Sequence, residues 1–221
     1  PQRQQRRGPL SCGKRDWTPQ ELIAFEEEIK DLFLAKQIRA PIHLSKGNEE
    51  QLIQIFQEVR EGDWVLSTHR SHYHALLHGI SPEWLRAEIL AGRSMHINSP
   101  EHNFLTSAIV GGIAPIAVGV ALGIKLKAED RRVWAFLGDM AAEMGIVHEA
   151  IKYAKNFNLP VCFCIEDNGY STNTPTREAW GISSTPPGGV VELERWGMGK
   201  LLRYSYERAF PHTGCSIWVN F

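Results

Sequence analysis

Two apolar runs, RVWAFLG (residues 132–138) and PVCFCIED (residues 160–167), bracket a stretch of helical character over residues 143–157. Two strands joined by a helix of that length form a βαβ unit, whose strands must run parallel and be covered on both faces. A helix over residues 113–127 precedes the first run. The alternation predicts an α/β fold: a doubly wound parallel sheet with helices on both faces. Cys162 and Cys164, two apart in the second run, are expected to face the same side as buried free thiols.

The N-terminal half supplies more elements. TPQELIAFEEEIKDLFLAKQI opens with Thr18 as N-cap, Pro19 in the first helical position and Glu21 closing a capping box. Leu22, Ile23, Phe25, Ile29, Leu32 and Phe33 keep a helical period, and EEEIKD reads as its solvated face. A second helix is expected over residues 48–60, a strand at DWVLST, and a short helix at SPEWLRAEILAG with Ser81 as its cap. After Gly181 the chain reads as a loop-rich tail with Pro186, Pro187, Gly188 and Gly189, ending in a strand candidate SIWVNF. Residues 18–221 are expected to form one domain, preceded by a disordered basic extension over residues 1–17.

Composition removes several function classes. The 221 residues carry a net charge of −1, which gives no electrostatic basis for binding nucleic acid or a membrane surface. The uncharged run AIVGGIAPIAVGVALGI is rich in glycine and contains Pro115, and reads as a loop feeding a close-packed helix rather than a membrane span. The four cysteines, Cys12, Cys162, Cys164 and Cys215, form no disulfide framework or zinc-type CxxC pair, as suits a cytoplasmic protein.

Chemistry concentrates where the two central strands end. In a doubly wound sheet, ligands bind beyond the carboxyl ends of the strands. Gly138-Asp139 ends the first strand and EDNGY the second, so Asp139 and Asn168 are expected to face each other across that crevice. A carboxylate, an amide oxygen and a turn carbonyl make an all-oxygen set that suits Mg²⁺ or Ca²⁺, with phosphates completing the shell. Asp139 as a simple helix cap is the structural alternative.

The segment GDMAAEMGIVHEAIKYAKNFNLPVCFCIEDNGYSTNTPT resembles the thiamine-diphosphate motif of the 2-oxo acid dehydrogenases, in the alpha subunit of their decarboxylating component. SMHI, AIVGGIAPIAVGVALGIK, STHRSHYHALLHGIS and PIHLSKGNEE resemble further family segments in the family's order. The resemblance implies a thiamine-diphosphate-binding fold, with Mg²⁺ held by Asp139, Asn168 and the backbone carbonyl of Tyr170. It places His43 near the thiazolium and diphosphate, Arg70 at the phosphates, His69 at a further cofactor-binding position, Ala108 and Val110 by the aminopyrimidine, and Met140 and Ala141 beside the diphosphate. It further implies a heterotetramer with a beta-type subunit that supplies the activating glutamate, a small 2-oxo acid substrate, and a lipoyl acyltransferase as acyl acceptor. A transketolase-like two-carbon transfer and a cofactor-free structural subunit are the alternatives.

Departures from the family pattern stand at four places. Met140 replaces a glycine, Asp167 replaces an asparagine and would add charge beside the metal, and His69 replaces a tyrosine. The family's later histidine-rich loop has no clear counterpart, His212 in FPHTG being the substitute considered. His43 and His72 are the expected proton-transfer residues, since imidazole titrates near neutral pH. His69, His72, His74 and His78 also allow a zinc reading, because His74 and His78 fall one helical turn apart.

Overall fold

A computed structural model describes residues 15–181 and 188–217. Helix α1 (Pro19–Leu34) starts as the sequence requires: the Glu21 amide donates to Thr18 Oγ1 at 3.3 Å and the Thr18 amide to Glu21 Oε2 at 2.9 Å. Its inward face is Leu22, Phe25, Ile29 and Phe33. The run EEEIKD is not wholly a solvated face. Glu26 is fully buried and accepts from the Ser45 amide at 2.9 Å, with His72 Nδ1 3.0 Å from its other oxygen. Trp17, expected at the end of a disordered extension, packs against the core and donates to the Leu76 carbonyl at 3.1 Å; residues 1–14, with Cys12, lie outside the described part.

Helix α2 (Glu49–Phe56), strand β1 (Trp64–Ser67), and helices α3 (His72–Leu77) and α4 (Pro82–Leu90) follow, the last capped by Ser81. Two short strands, β2 (Asn98–Ser99) and β3 (Phe104–Thr106), precede helix α5 (Ile113–Leu126) and strand β4 (Val133–Gly138). One turn of helix, α6 (Asp139–Ala142), then leads to α7 (Gly145–Asn156) and strand β5 (Val161–Asp167). A small β6 (Tyr170–Ser171) and β7 (Thr174–Pro175) ribbon carries α8 (Thr176–Trp180). Strands β8 (Gly188–Trp196) and β9 (Gly199–Ser205) close the sheet.

The sheet runs β2-β3-β1-β4-β5-β9-β8. Its five middle strands are parallel and the two edges antiparallel. Two cores flank it. Trp134, Phe136, Cys162 and Cys164 point into the layer made by α1 to α4, while Val133, Ala135, Leu137, Val161 and Phe163 point into the layer made by α5 and α7. Alternate residues thus serve opposite faces, which is why β4 and β5 read as unbroken apolar runs. The crossover from β1 to β3 passes through α3 and α4 on one face, and that from β3 to β4 through α5 on the other. The reversal opens a crevice beyond the ends of β1 and β4.

Helix α5 lies on the sheet through Ile113, Ala114, Ala117, Ala121 and Ile124, with Pro115 in its first turn, where a missing amide costs nothing. Among the described residues no helix is long and apolar enough to cross a membrane. The tail is not loop-rich as expected. Strands β8 and β9 form a hairpin, and β9 adds to β5 in parallel. Gly197 turns the hairpin at φ +50°, and a Cβ on Gly199 would sit 2.7 Å from the Val161 carbonyl oxygen, so only glycine admits this close approach to β5. Of the expected strand SIWVNF, Ser216 and Ile217 are not extended in a sheet, and the remainder lies outside the described residues.

Candidate active site

A cleft of about 250 Å³ lies beyond the carboxyl ends of β1, β4 and β5. Each wall follows from the topology. The end of β1 delivers Thr68, His69 and Arg70, and the loop before α5 delivers Ser107 to Gly111. Gly138, Met140 and Ala141 come from β4 and α6; Glu166, Asn168 and Tyr170 come from β5 and its turn. His43 arrives from the loop between α1 and α2, and Tyr206, Arg208 and His212 from the chain after β9. His43, His69, Arg70, Ala108, Val110, Met140, Ala141, Asn168 and Tyr170 therefore share one cavity.

Asp139 sits between two lining residues but is itself only 2% exposed. Thr176 Oγ1 donates to its Oδ2, while Oδ1 has no hydrogen-bond partner. Burial pushes its pKa up and the nearby Asp167 charge adds to that shift, while the Thr176 hydrogen bond and the neighbouring amides of Asp139 and Met140, too poorly aligned to satisfy Oδ1, oppose it. Gly138 pairs with Glu166 across β4 and β5, so Asp139 and Asn168 emerge from neighbouring strand ends. Asn168 Oδ1 accepts from the Tyr170 amide at 3.0 Å, which shapes the turn, and its Nδ2 donates to Tyr206 Oη at 3.3 Å. A buried carboxylate oxygen without a partner, at the end of the strand next to the one that ends in an amide oxygen with a second lone pair, is the donor chemistry a hard divalent cation takes.

The departures resolve physically. Met140 takes an ordinary right-handed helical backbone within α6, its Sδ accepting from Trp180 Nε1, and the cleft stays open beside it. Asp167 is not a free extra charge: Arg203 on β9 grips its Oδ2 through Nη2 at 2.5 Å and Nε at 3.2 Å, and the Gly169 amide donates to Oδ1 at 3.0 Å. Between Asp139 and the expected helix, which is α7, the chain makes the single turn α6, too short to build an appreciable dipole.

His72, expected as a proton-transfer residue, does not reach the cleft. Every residue of α3 is buried, and the His72 ring is held between Glu26 Oε2 at 3.0 Å and Ser94 Oγ at 2.8 Å. The zinc reading of His69, His72, His74 and His78 fails for the same reason. His74 lies against Phe136 and within 3.2 Å of Glu166, an ion-pair distance without hydrogen-bond alignment, and His78 Nε2 lies 2.7 Å from the His102 carbonyl oxygen. His43 and His69 are both kept neutral, their pKa values lowered to about 2 and about 4, by burial first and then by neighbouring cationic groups. Sequence reasoning missed Glu166, Thr176, Arg203, Tyr206 and Arg208. Three of these lie on or after β9, so recognising that strand was the signal that could have found them.

Residues 19–187 match the family described as "Dehydrogenase E1 component". The chain belongs to that family. Among its relatives, the alpha subunit of the acetoin:2,6-dichlorophenolindophenol oxidoreductase of Bacillus subtilis is 34% identical over 174 residues, which is 74% of this chain and 52% of the relative. The pyruvate dehydrogenase E1 component alpha subunit of Rickettsia prowazekii is 29% identical over 213 residues, 86% of this chain and 65% of the relative. That of Zymomonas mobilis is 34% identical over 166 residues, with 70% and 47% covered. The chain thus spans about half to two thirds of the length of these E1 relatives.

Proposed function

We propose that this chain is the alpha-type portion of a thiamine-diphosphate-dependent 2-oxo acid dehydrogenase, working in the cytoplasm with a beta-type subunit. One observation carries the reading: the unpartnered Oδ1 of Asp139, buried at the end of β4 while the neighbouring parallel strand β5 runs out into Asn168. Leaving a carboxylate oxygen desolvated without a partner is costly, and a bound cation removes that cost. Asp139, Asn168 and the Tyr170 carbonyl would hold Mg²⁺, and Ala108, Val110 and Ala141 would line the cofactor's seat. Thiamine diphosphate, when bound, supplies the carbanion nucleophile and electron sink for decarboxylating a 2-oxo acid.

The chain's own groups prepare the cleft for an anion. Arg70 donates to the Leu44 and His212 carbonyls, which fixes its guanidinium at the cleft wall and joins two of the loops that shape it. His43 Nε2 meets Thr213 Oγ1 at 3.1 Å, leaving Nδ1 without a partner. As a neutral imidazole, His43 orients a ligand by hydrogen bonding. An anion placed against it would raise its pKa and let it accept a proton. Glu166 is the sole carboxylate among the described lining residues, and Tyr204 Oη donates to it at 2.5 Å, so an activating carboxylate fits better as a partner's contribution. At the cleft mouth Ile109 and Val110 are 74% and 59% exposed, an apolar rim suited to a covering subunit.

Calorimetric titration of thiamine diphosphate into the full chain with excess Mg²⁺, with and without a beta-type partner, tests the reading. Saturable, Mg²⁺-dependent binding is expected, weakened by at least about 100-fold in Asp139→Asn. Absence of binding under both conditions would favour a cofactor-free structural subunit. Release of carbon dioxide from a 2-oxo acid separates the decarboxylase from a transketolase-like transfer.

A further inference from the structure

Tyr206 follows β9, beyond the residues matched to the family, yet it is braced against the turn that carries Asn168 and Tyr170. Its amide donates to the Asp167 carbonyl at 2.9 Å, which carries the pairing of β9 with β5 one residue past the strand. Its ring packs beside that of Tyr204, with centroids 5.8 Å apart. The loop before α2 closes on the same segment through Gly47, where a Cβ would meet the Glu207 carbonyl oxygen at 2.2 Å. Backbone and ring are thus fixed, and the hydroxyl is left at the cleft wall.

That hydroxyl sets the orientation of an amide. A side-chain amide that flips exchanges an acceptor for two donors. The Tyr170 amide donates to Asn168 at 3.0 Å, which requires Oδ1 at that point, and Tyr206 Oη accepts from Nδ2 at 3.3 Å. Together the two bonds exclude the flipped amide, which would turn N–H groups toward a cation in place of the second lone pair of Oδ1. A phenol that accepts still has a hydrogen to donate. Among the described residues the Tyr206 hydroxyl has no acceptor for it, although Tyr206 is buried and lines the cleft. Tyr204 differs on this point: its hydroxyl accepts from Asn48 and donates to Glu166, so it has nothing left to offer.

We infer that Tyr206 serves the cation and the anion that accompanies it: its hydroxyl accepts from Asn168 Nδ2, which keeps Oδ1 available to Mg²⁺, and donates its own hydrogen to a phosphate oxygen of the cofactor. The inference rests on the reading of Asp139, Asn168 and the Tyr170 carbonyl as the cation's ligands. Toward the metal Tyr206 is a positioning residue, acting through Asn168; toward the phosphate it is a direct contact. A hydroxyl bonded to a charged oxygen makes a stronger hydrogen bond than one bonded to a neutral acceptor, and here the donor is already held in place before the ligand arrives.

Mn²⁺ is the probe, in the full chain with thiamine diphosphate, because it takes the oxygen donors that Mg²⁺ takes and its free-ion paramagnetic resonance signal falls on binding. Tyr206→Phe keeps the ring and removes the hydroxyl. Asn168 is part-exposed, so its freed N–H can turn to water, and the circular dichroism spectrum is expected to be unchanged. Half-saturation is expected to need about 10- to 100-fold more Mn²⁺ than in the parent. At saturating Mn²⁺, thiamine diphosphate is expected to bind about tenfold more weakly, from the lost bond to a charged oxygen. Tyr73→Phe is the control: it removes a buried hydroxyl that donates to Glu49 at 2.9 Å, outside the cleft, and both affinities are expected to stay within about threefold of the parent. Should Tyr206→Phe not fold, Tyr206→Leu, which also lacks the hydroxyl, takes its place. Affinities for metal and cofactor that stay within about threefold of the parent overturn the inference and leave the cation reading standing. No Mn²⁺ binding by the parent, with or without a beta-type partner, overturns both.

Discussion

Asp63 and Asp139 are both buried aspartates at the ends of adjacent parallel strands, one just before β1 and the other just after β4. Asp63 is 0% exposed and saturated. Its Oδ1 accepts from the Arg132 amide at 2.8 Å, and its Oδ2 accepts from the Arg60 amide and from Trp134 Nε1, each at 3.0 Å. Asp139 is nearly as buried but keeps one oxygen bare. At the amino end of the sheet, a carboxylate stitches a loop to two strands. At the carboxyl end, the same group keeps an oxygen that no donor in the chain satisfies. Burial alone does not mark function; burial without partners does.

Substitution should separate the two sharply. Asp63→Ala leaves a buried indole N–H and two amides without acceptors, and leaves Arg132, whose Nε lies 3.8 Å from the carboxylate, without its counter-charge. The expected loss is about 3–5 kcal/mol in denaturant unfolding, with cofactor affinity of the remaining folded chain unchanged. Asp139→Asn should do the reverse. Its loss of at least about 100-fold in Mg²⁺-dependent cofactor binding corresponds to roughly 2.7 kcal/mol, while the ligand-free chain is as stable as the parent or slightly more so. If Asp139→Asn instead destabilised the ligand-free chain as Asp63→Ala does, both aspartates would be structural.

Asp167 lies between these cases, a buried carboxylate in the candidate site that is nonetheless clamped by Arg203. Arg203→Met should cost about 1–2 kcal/mol of stability without abolishing Mg²⁺-dependent binding, because the charge left behind is negative. The double variant Arg203→Met, Asp167→Asn should recover most of that loss, and a thermodynamic cycle of unfolding free energies measures the coupling. Additive losses would mean that the pair is not an interacting unit.

How much of this was legible in the sequence depended on whether partners were local. The capping box of α1 and the βαβ core could be read directly, because each rests on neighbours within a few residues or on continuous apolar runs. Strand β9 was missed because Lys200 and Arg203 interrupt its apolar pattern. Lys200 is fully buried but bonded to Glu58, and Arg203 to Asp167, partners that only the fold reveals. The turn Trp196-Gly197-Met198-Gly199 was the local hint, outweighed by the preceding prolines and glycines. That His72 lies outside the cleft was hidden for the same reason: its partners Glu26 and Ser94 are remote in sequence. The cleft-lining positions, by contrast, lie at strand ends that the alternation of elements had already located.

Met140 gives the smallest and most discriminating test, since the carboxyl-end site depends on its not filling the space that Asp139 faces. Glycine at this position would matter if the backbone required a positive φ, but Met140 is helical and absent from the left-handed residues. Its Sδ accepts from Trp180 Nε1, and Trp180 is not among the cleft's lining residues. Met140→Gly is therefore expected to cost about 1 kcal/mol of stability, from helix propensity, and to change thiamine diphosphate affinity by less than about threefold. A gain of about tenfold or more would mean that the methionine crowds the diphosphate, and the bare oxygen of Asp139 would then belong to a site that this chain has partly closed.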